Sequence, residues 1–155
     1  MKFEAREDIE APIDHVFSQV SNFGALERNL LRRGADVQRT TDKIPPASGI
    51  AWDTAFDMRG KRRHMHLELT IYEPPTLMRF AATSRSLDCD VRVELVALSR
   101  GRTRMALAAD LKPRTMSARL MVQSLKLART NVTKRFEMRL ATFVREMEDR
   151  YTRCA

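Results

Sequence analysis

The spacing of hydrophobic positions changes twice along this chain. From Lys2 to Ile9 they alternate, with Phe3, Ala5 and Ile9 on one side and Lys2, Glu4, Arg6 and Asp8 on the other, which is the pattern of a half-buried strand. Glu7 is the exception, an acid on the apolar side. The spacing then widens to three and four: Ile13, Val16, Phe17 and Val20 follow Ala11-Pro12 and predict a short helix, because proline suits a first helical position. Ser21-Asn22 ends that helix or caps a second one, which runs through Phe23, Leu26 and Leu30 to a stop at Gly34. A short strand around Val37 and a loop from Thr40 to Gly49 with Pro45-Pro46 complete this part.

Alternation returns at Ile50 and predicts a meander of about six strands in all. A tight turn at Gly60-Lys61 sets Phe56 opposite Met65, Thr54 opposite Leu67, Trp52 opposite Leu69 and Ile50 opposite Ile71, while Asp57 meets His64 and Asp53 meets Glu68 on the other face. A turn at Glu73-Pro74-Pro75-Thr76 pairs Ile71 with Met78, Leu69 with Phe80 and Leu67 with Ala82. The next hairpin pairs Ala82 with Cys89, Phe80 with Val91 and Met78 with Val93. Ser99 to Arg102 closes the last, with Leu95 opposite Leu107 and Val93 opposite Ala109. A slip of one residue anywhere would carry charges into the core, so the registers support one another.

From Thr115 to Arg153 the period is helical again, with Met116, Leu120, Leu125, Ala128, Val132, Phe136, Leu140, Phe143, Met147 and Tyr151 spaced mostly by three or four and no Pro or Gly between them. Read as one helix this stretch is roughly 55 to 60 Å long. A sheet with one apolar face needs one cover, and this helix is the only element long enough to provide it. The predicted class is therefore α+β: a seven-stranded antiparallel sheet curved around a long C-terminal helix, with two short helices after the first strand, in one domain spanning 1–155.

Composition narrows the function. The apolar runs are too short for a membrane span and the first residues lack the apolar stretch of a signal peptide, so cytoplasm is the expected location. Cys89 and Cys154 are isolated, without disulfide or zinc spacing. The formal net charge is +8, and residues 114–153 carry ten cations against four acids, three quarters of the excess. Such a basic helix is either a solvated face or a contact for nucleic acid, ribosomal RNA or an anionic membrane.

The segment Asp8-Ile9-Glu10-Ala11-Pro12-Ile13-Asp14-His15-Val16-Phe17, with its Ile-x-Ala-Pro and following Val-Phe, resembles the SRPBCC superfamily, which includes the START lipid-transfer domains, the polyketide cyclase/dehydrase-like proteins and the pollen-allergen-like carriers. The resemblance covers nearly the whole chain by element order. It implies a helix-grip fold with an apolar cavity, a hydrophobic small molecule or lipid as ligand and no fixed catalytic motif; separately, no cofactor is expected.

Candidate lining residues are Trp52, Phe56, Met58, Met65, Leu67, Leu69, Phe80, Val91, Leu120, Met121, Ser124 and Leu125, helped by nine adaptable methionines and by the small inner-face residues Thr54, Ala82, Ser84 and Ala109. The alternative is that these side chains fill the core completely. Glu7, if buried, is a candidate general acid or base for a cyclase or dehydratase. His64 and His66 project from the polar face, where pairing with acids is ordinary and metal binding is not expected; His15 has no readable nucleophile beside it. Arg79 is expected on the outer face next to Thr70. The outer face shows only one aromatic, Tyr72, which is poor for stacking RNA bases.

Overall fold

The computed structural model describes residues 1–58 and 60–154, except the side chain of Cys154. Strand β1 (Lys2–Ile9) leads into helices α1 (Ile13–Val20) and α2 (Phe23–Arg32). Strands β2 (Asp36–Thr41), β3 (Ala51–Met58), β4 (Lys61–Glu73), β5 (Leu77–Thr83), β6 (Leu87–Ser99) and β7 (Arg102–Pro113) follow, and then helices α3 (Met116–Leu127) and α4 (Arg129–Cys154). All seven strands form one antiparallel sheet in the order β1-β7-β6-β5-β4-β3-β2. The first strand thus closes against the last, and the meander runs outward from there.

Local chemistry explains the short helices. Pro12 is the N-cap of α1, with φ −63° and ψ 151°, so it stands one residue outside the helix rather than in its first turn. Asn22 caps α2 by accepting a hydrogen bond on Oδ1 from the Ala25 N–H at 3.1 Å. Gly34 takes φ +90° just beyond α2, a conformation that costs other residues more.

Inward and outward parity is as the alternation predicts except at the end of β4, and three registers differ in detail. In the β3–β4 hairpin Met58 pairs with Lys61, and Trp52, Thr54 and Phe56 face Leu67, Met65 and Arg63. The turn lies one residue earlier, with Gly60 at φ +77°, so every partner moves by two and the faces are kept. Asp53 consequently meets His66, and Asp57 meets Arg62. In β4–β5, Leu67 with Ala82 and Leu69 with Phe80 stand as expected, but the register shifts between Leu69 and Ile71. This bulge places Tyr72, not Ile71, opposite Met78 and turns it onto the core, its ring 5.6 Å from that of Phe17. Tyr72 is therefore absent from the outer face. The β5–β6 pairs are those predicted. In β6–β7 Val93 meets Leu107 and Leu95 meets Met105, again a shift of two that keeps the face. Thr103 is fully buried there, and its Oγ1 donates to the Ala11 carbonyl at 2.8 Å.

The terminal stretch is two helices. Ala128, at φ −98° and ψ 20°, interrupts the run, although the Ala128 N–H still reaches Ser124 O at 3.1 Å and the Val132 N–H reaches Ala128 O at 3.0 Å. The two segments have different partners: α3 lies against β7, while α4 packs on β1 and α1. Arg129 ties the start of α4 to β1 by donating from Nη2 to the Lys2 carbonyl at 2.9 Å. At 26 residues α4 is the long cover, about 39 Å at 1.5 Å per residue. Its Leu140, Val144 and Met147 join Ile9, Val16, Leu69, Met78 and Met105 in the core.

Ion pairs stitch the outer face. Arg79 binds Asp90 with Nε 3.1 Å from both carboxylate oxygens, joining β5 to β6, and Arg104 holds Asp8 at 2.8 Å, joining β7 to β1. The hydrogen bond from Arg79 holds the Asp90 carboxyl below its ordinary value of 3.8. A carboxylate with a lowered folded pKa contributes stability above its unfolded pKa and loses it as pH falls through the folded value. Asp90→Asn is therefore expected to be less stable than the parent at pH 7, within the ~0.2–1 kcal/mol of a partly exposed pair, and the gap to close below about pH 4. Urea unfolding of both proteins at neutral and acid pH checks this.

Candidate functional site

Side chains do not fill the space under the sheet. Two hollows open along the concave face, on successive inward positions of the same strands. The first, about 380 Å³, is bounded by Phe23, Leu26 and Leu30 of α2, Trp52 and Thr54 of β3, Leu67 of β4, Phe80 of β5, Val91 of β6 and Phe143 of α4. The second, about 610 Å³, is bounded by Phe56 and Met58 of β3, residues 62–65 of β4, residues 84–86 between β5 and β6, Leu87 of β6, and Ser117, Ala118 and Met121 of α3. Between them on β6 sits Cys89, half-buried. Burial pushes its thiol above the ordinary value, with Asp90 and Asp110 adding to the effect, so it is a poor nucleophile at neutral pH.

An aromatic cluster defines the first hollow. The Phe23 ring lies 5.3 Å from Trp52 and 6.4 Å from Phe80, and Trp52 lies 6.2 Å from Phe80. Burying an indole requires an acceptor for its N–H. Glu27 supplies it: Oε1 accepts from Trp52 Nε1 at 2.8 Å and from Arg39 Nε at 2.7 Å, and Arg39 also lies over the indole, 6.0 Å from its centroid. A carboxylate, a guanidinium and an indole are thereby locked at the edge of an apolar space.

The second hollow differs in kind. Its floor is Phe56, Met58, Met65, Leu87 and Met121, while its edge carries Arg62, Arg63, Arg85, His64 and three serines, with no acid among the lining residues. Arg62 is committed elsewhere, bonded to Asp36 at 2.6 Å and paired with Asp57 at 3.3 Å. Arg63 has the inward parity of Met65 and stands opposite Phe56. Its Nε is buried without a hydrogen-bond partner among the described residues. An unmet buried donor of this kind costs about 1–3 kcal/mol or more.

The twelve predicted lining residues divide among these surroundings. Trp52, Leu67, Phe80 and Val91 bound the first hollow; Phe56, Met58, Met65 and Met121 bound the second. Leu69 is fully buried in the core. Leu120 is 59% exposed, Ser124 is exposed and Leu125 half-buried, and none of the three lines a hollow. The inner side of α3 is instead Ala118 and Val122, and Leu120 stands two residues, about 200°, from Val122. Glu7 is half-buried opposite Met105 and borders neither hollow. His66 Nδ1 lies 2.8 Å from Asp53 on the outer face, and His15 Nε2 lies 3.2 Å from the Met147 carbonyl. Among the described residues no group of three or more His, Cys, Asp or Glu is placed to hold a metal. Glu27 and Arg63 are not among the residues that the sequence pattern singles out. Signals for both exist in it: a core tryptophan demands an acceptor, and Arg63 shares its strand parity with Met65 and Leu67.

A curved seven-stranded sheet gripped by a C-terminal helix over a partly empty concave face defines the START-like, or SRPBCC, class of helix-grip proteins. The chain belongs to the family described as polyketide cyclase / dehydrase and lipid transport, which matches residues 1–148. In fold it is similar to the ZhuI aromatase/cyclase from Streptomyces sp. R1128, with a TM-score of 0.70 at 15% identity over 97% of this chain and 94% of that one. It is similar also to TTHA0849 from Thermus thermophilus, with a TM-score of 0.66 at 14% identity over 100% and 99% of the two chains. A START superfamily protein from Mycobacterium smegmatis matches with a TM-score of 0.56 at 12% identity over 88% and 97%. At such identities the likeness is one of fold. No curated protein matches the chain in sequence. Among the described residues no helix is long and apolar enough to cross a membrane.

Proposed function

We propose that this protein binds a hydrophobic small molecule or lipid on the concave face of the sheet. The observation that carries this is the pair of apolar-floored hollows, about 380 and 610 Å³, left between sheet and helices, both of a size that takes a small ligand. Binding is driven by removing apolar ligand surface from water, and the mutually tilted rings of the Trp52–Phe80–Phe23 cluster provide an apolar wall for it. The family's description, polyketide cyclase / dehydrase and lipid transport, supports the same ligand class. Native mass spectrometry of protein purified from its own host tests the proposal. A noncovalent small-molecule adduct is expected; bare protein that also shows no saturable response to added lipids would contradict it.

A second reading, docking on an anionic bilayer, is favoured by α3. Residues 111–136 carry seven cations and no acid. On the side of α3 away from Ala118 and Val122, Met116, Leu120 and Leu127 are 68%, 59% and 93% exposed. Apolar side chains flanked by cations on one helix suit a lipid interface, whereas phosphate contacts in RNA have no use for the leucines. Co-sedimentation with phosphatidylglycerol-containing vesicles is expected at low salt and should fall severalfold when about 0.5 M salt shrinks the Debye length to a few Å. Leu120→Asp with Leu127→Asp should abolish it, and binding only to RNA would reject this reading.

A further inference from the structure

We infer that the larger hollow takes the anionic head of an amphiphile, a carboxylate or a phosphate monoester, and that Arg63 is the residue that binds it. The inference rests on the ligand-binding reading above and specifies its chemistry.

Arg63 occupies an inward position on β4, between the inward Met65 and the end of the strand, and faces Phe56 across the β3–β4 ladder. A guanidinium is out of place on an apolar face unless something charged comes to it. The protein's own acids do not: no carboxylate lines this hollow, and Arg63 makes no ion pair among the described residues. Its neighbour Arg62, one residue earlier and facing outward, is held by both Asp36 and Asp57. The contrast between the two arginines is one of supply. The outer face provides acids for its cation, and the inner face leaves its cation with a buried Nε–H and no acceptor among the described residues.

The missing partner has a definite form. The guanidinium edge that includes Nε presents two parallel N–H donors, which match the two oxygens of a carboxylate or a phosphate. Arg85 lies on the same edge of the hollow and adds positive charge, and Ser84, Ser86 and Ser117 offer hydroxyls nearby. Beneath them, Phe56, Met58, Met65, Leu87 and Met121 provide the apolar floor for a hydrocarbon body. A cationic edge over an apolar floor fits an anionic amphiphile better than it fits a sterol-like neutral molecule or a free inorganic anion.

Isothermal titration with laurate, dodecyl phosphate, 1-dodecanol and inorganic phosphate, each below any micellar concentration, tests this on the parent, Arg63→Gln and Arg63→Lys. At least one of the two anionic amphiphiles should bind the parent about 10- to 100-fold tighter than dodecanol, the margin of a charge-assisted hydrogen-bonded pair. Arg63→Gln should remove that margin, weakening the anionic amphiphiles far more than dodecanol, and Arg63→Lys should keep part of it. The laurate and dodecyl phosphate arms assign the head as carboxylate or phosphate. Equal affinity for the anions and the alcohol, or a margin that survives in Arg63→Gln, overturns the inference while leaving hydrophobic binding intact. Failure of all three amphiphiles to bind overturns both. Saturable binding of inorganic phosphate that exceeds that of the amphiphiles overturns the amphiphile assignment.

Discussion

Met147→Asp is expected to abolish cooperative folding. Met147 is fully buried where α4 crosses the core formed with Ile9, Val16 and Met105. Removing its side chain alone would cost about 2–5 kcal/mol. An aspartate there adds the desolvation of a carboxyl group among the apolar side chains of the core cluster. Together these terms approach the roughly 5–15 kcal/mol that holds an ordinary domain folded. Near-ultraviolet circular dichroism and urea titration should show no native baseline. Met138→Asp, a control on the same helix at a position 69% exposed, should unfold like the parent within about 0.5 kcal/mol. A folded Met147→Asp protein would mean that α4 does not grip the sheet as described.

Trp52→Ala is the second large effect and acts on stability and site together. The indole is 6% exposed, packs edge-on against Phe23 and donates to Glu27. Truncation should cost about 3–5 kcal/mol through lost contacts and cavity. It also removes one of the donors on Glu27 Oε1 and widens the smaller hollow on its β3 side. Trp52→Phe separates the two consequences: it restores most of the packing but not the N–H, and should recover all but about 1–2 kcal/mol. Thermal unfolding of the three proteins reads the order directly, with Trp52→Phe lying between the parent and Trp52→Ala. If Trp52→Ala were as stable as the parent, the aromatic cluster would not be part of the core.

Much of this architecture is legible in the sequence because one-sided burial imposes a period, and a wrong register by one would expose it. Period 2 fixes which side chains face inward but is blind to slips of two. That is why the β3–β4 and β6–β7 partners differ from expectation while their faces agree. Bulges escape for a related reason: an extra residue at Thr70 reverses the parity of everything after it on β4, and only the burial of Tyr72 reveals it. Composition hides the break at Ala128, since alanine is the best helix former. A weaker signal follows it in Thr130-Asn131-Val132-Thr133, four poor helix formers in a row.

The candidate site is less legible than the fold. Parity names the inward residues of β3 to β6, and eight of the twelve expected lining residues border one hollow or the other. Parity cannot say how far neighbouring strands and helices leave a gap, so the division into two hollows and the burial of Leu69 require coordinates. A stripe drawn through Leu120 and Ser124 points the wrong way at the start of α3, where Ala118 and Val122 make the contact. Arg63 escapes the pattern because charge on a strand reads as exposure. Its orphaned Nε reverses that reading.

The chain has one tryptophan, so a nitrogen–proton correlation spectrum contains one indole resonance, that of Trp52. Titrating the labelled protein with laurate, followed by that resonance and the backbone amides of β3, β4, β5 and β6, tests ligand uptake on the concave face most directly. Saturable shifts confined to the strands and helices that bound the hollows are the predicted result. A spectrum that stays unchanged, or that moves only at outer-face residues such as Asp53, His66 and Arg79, would contradict it.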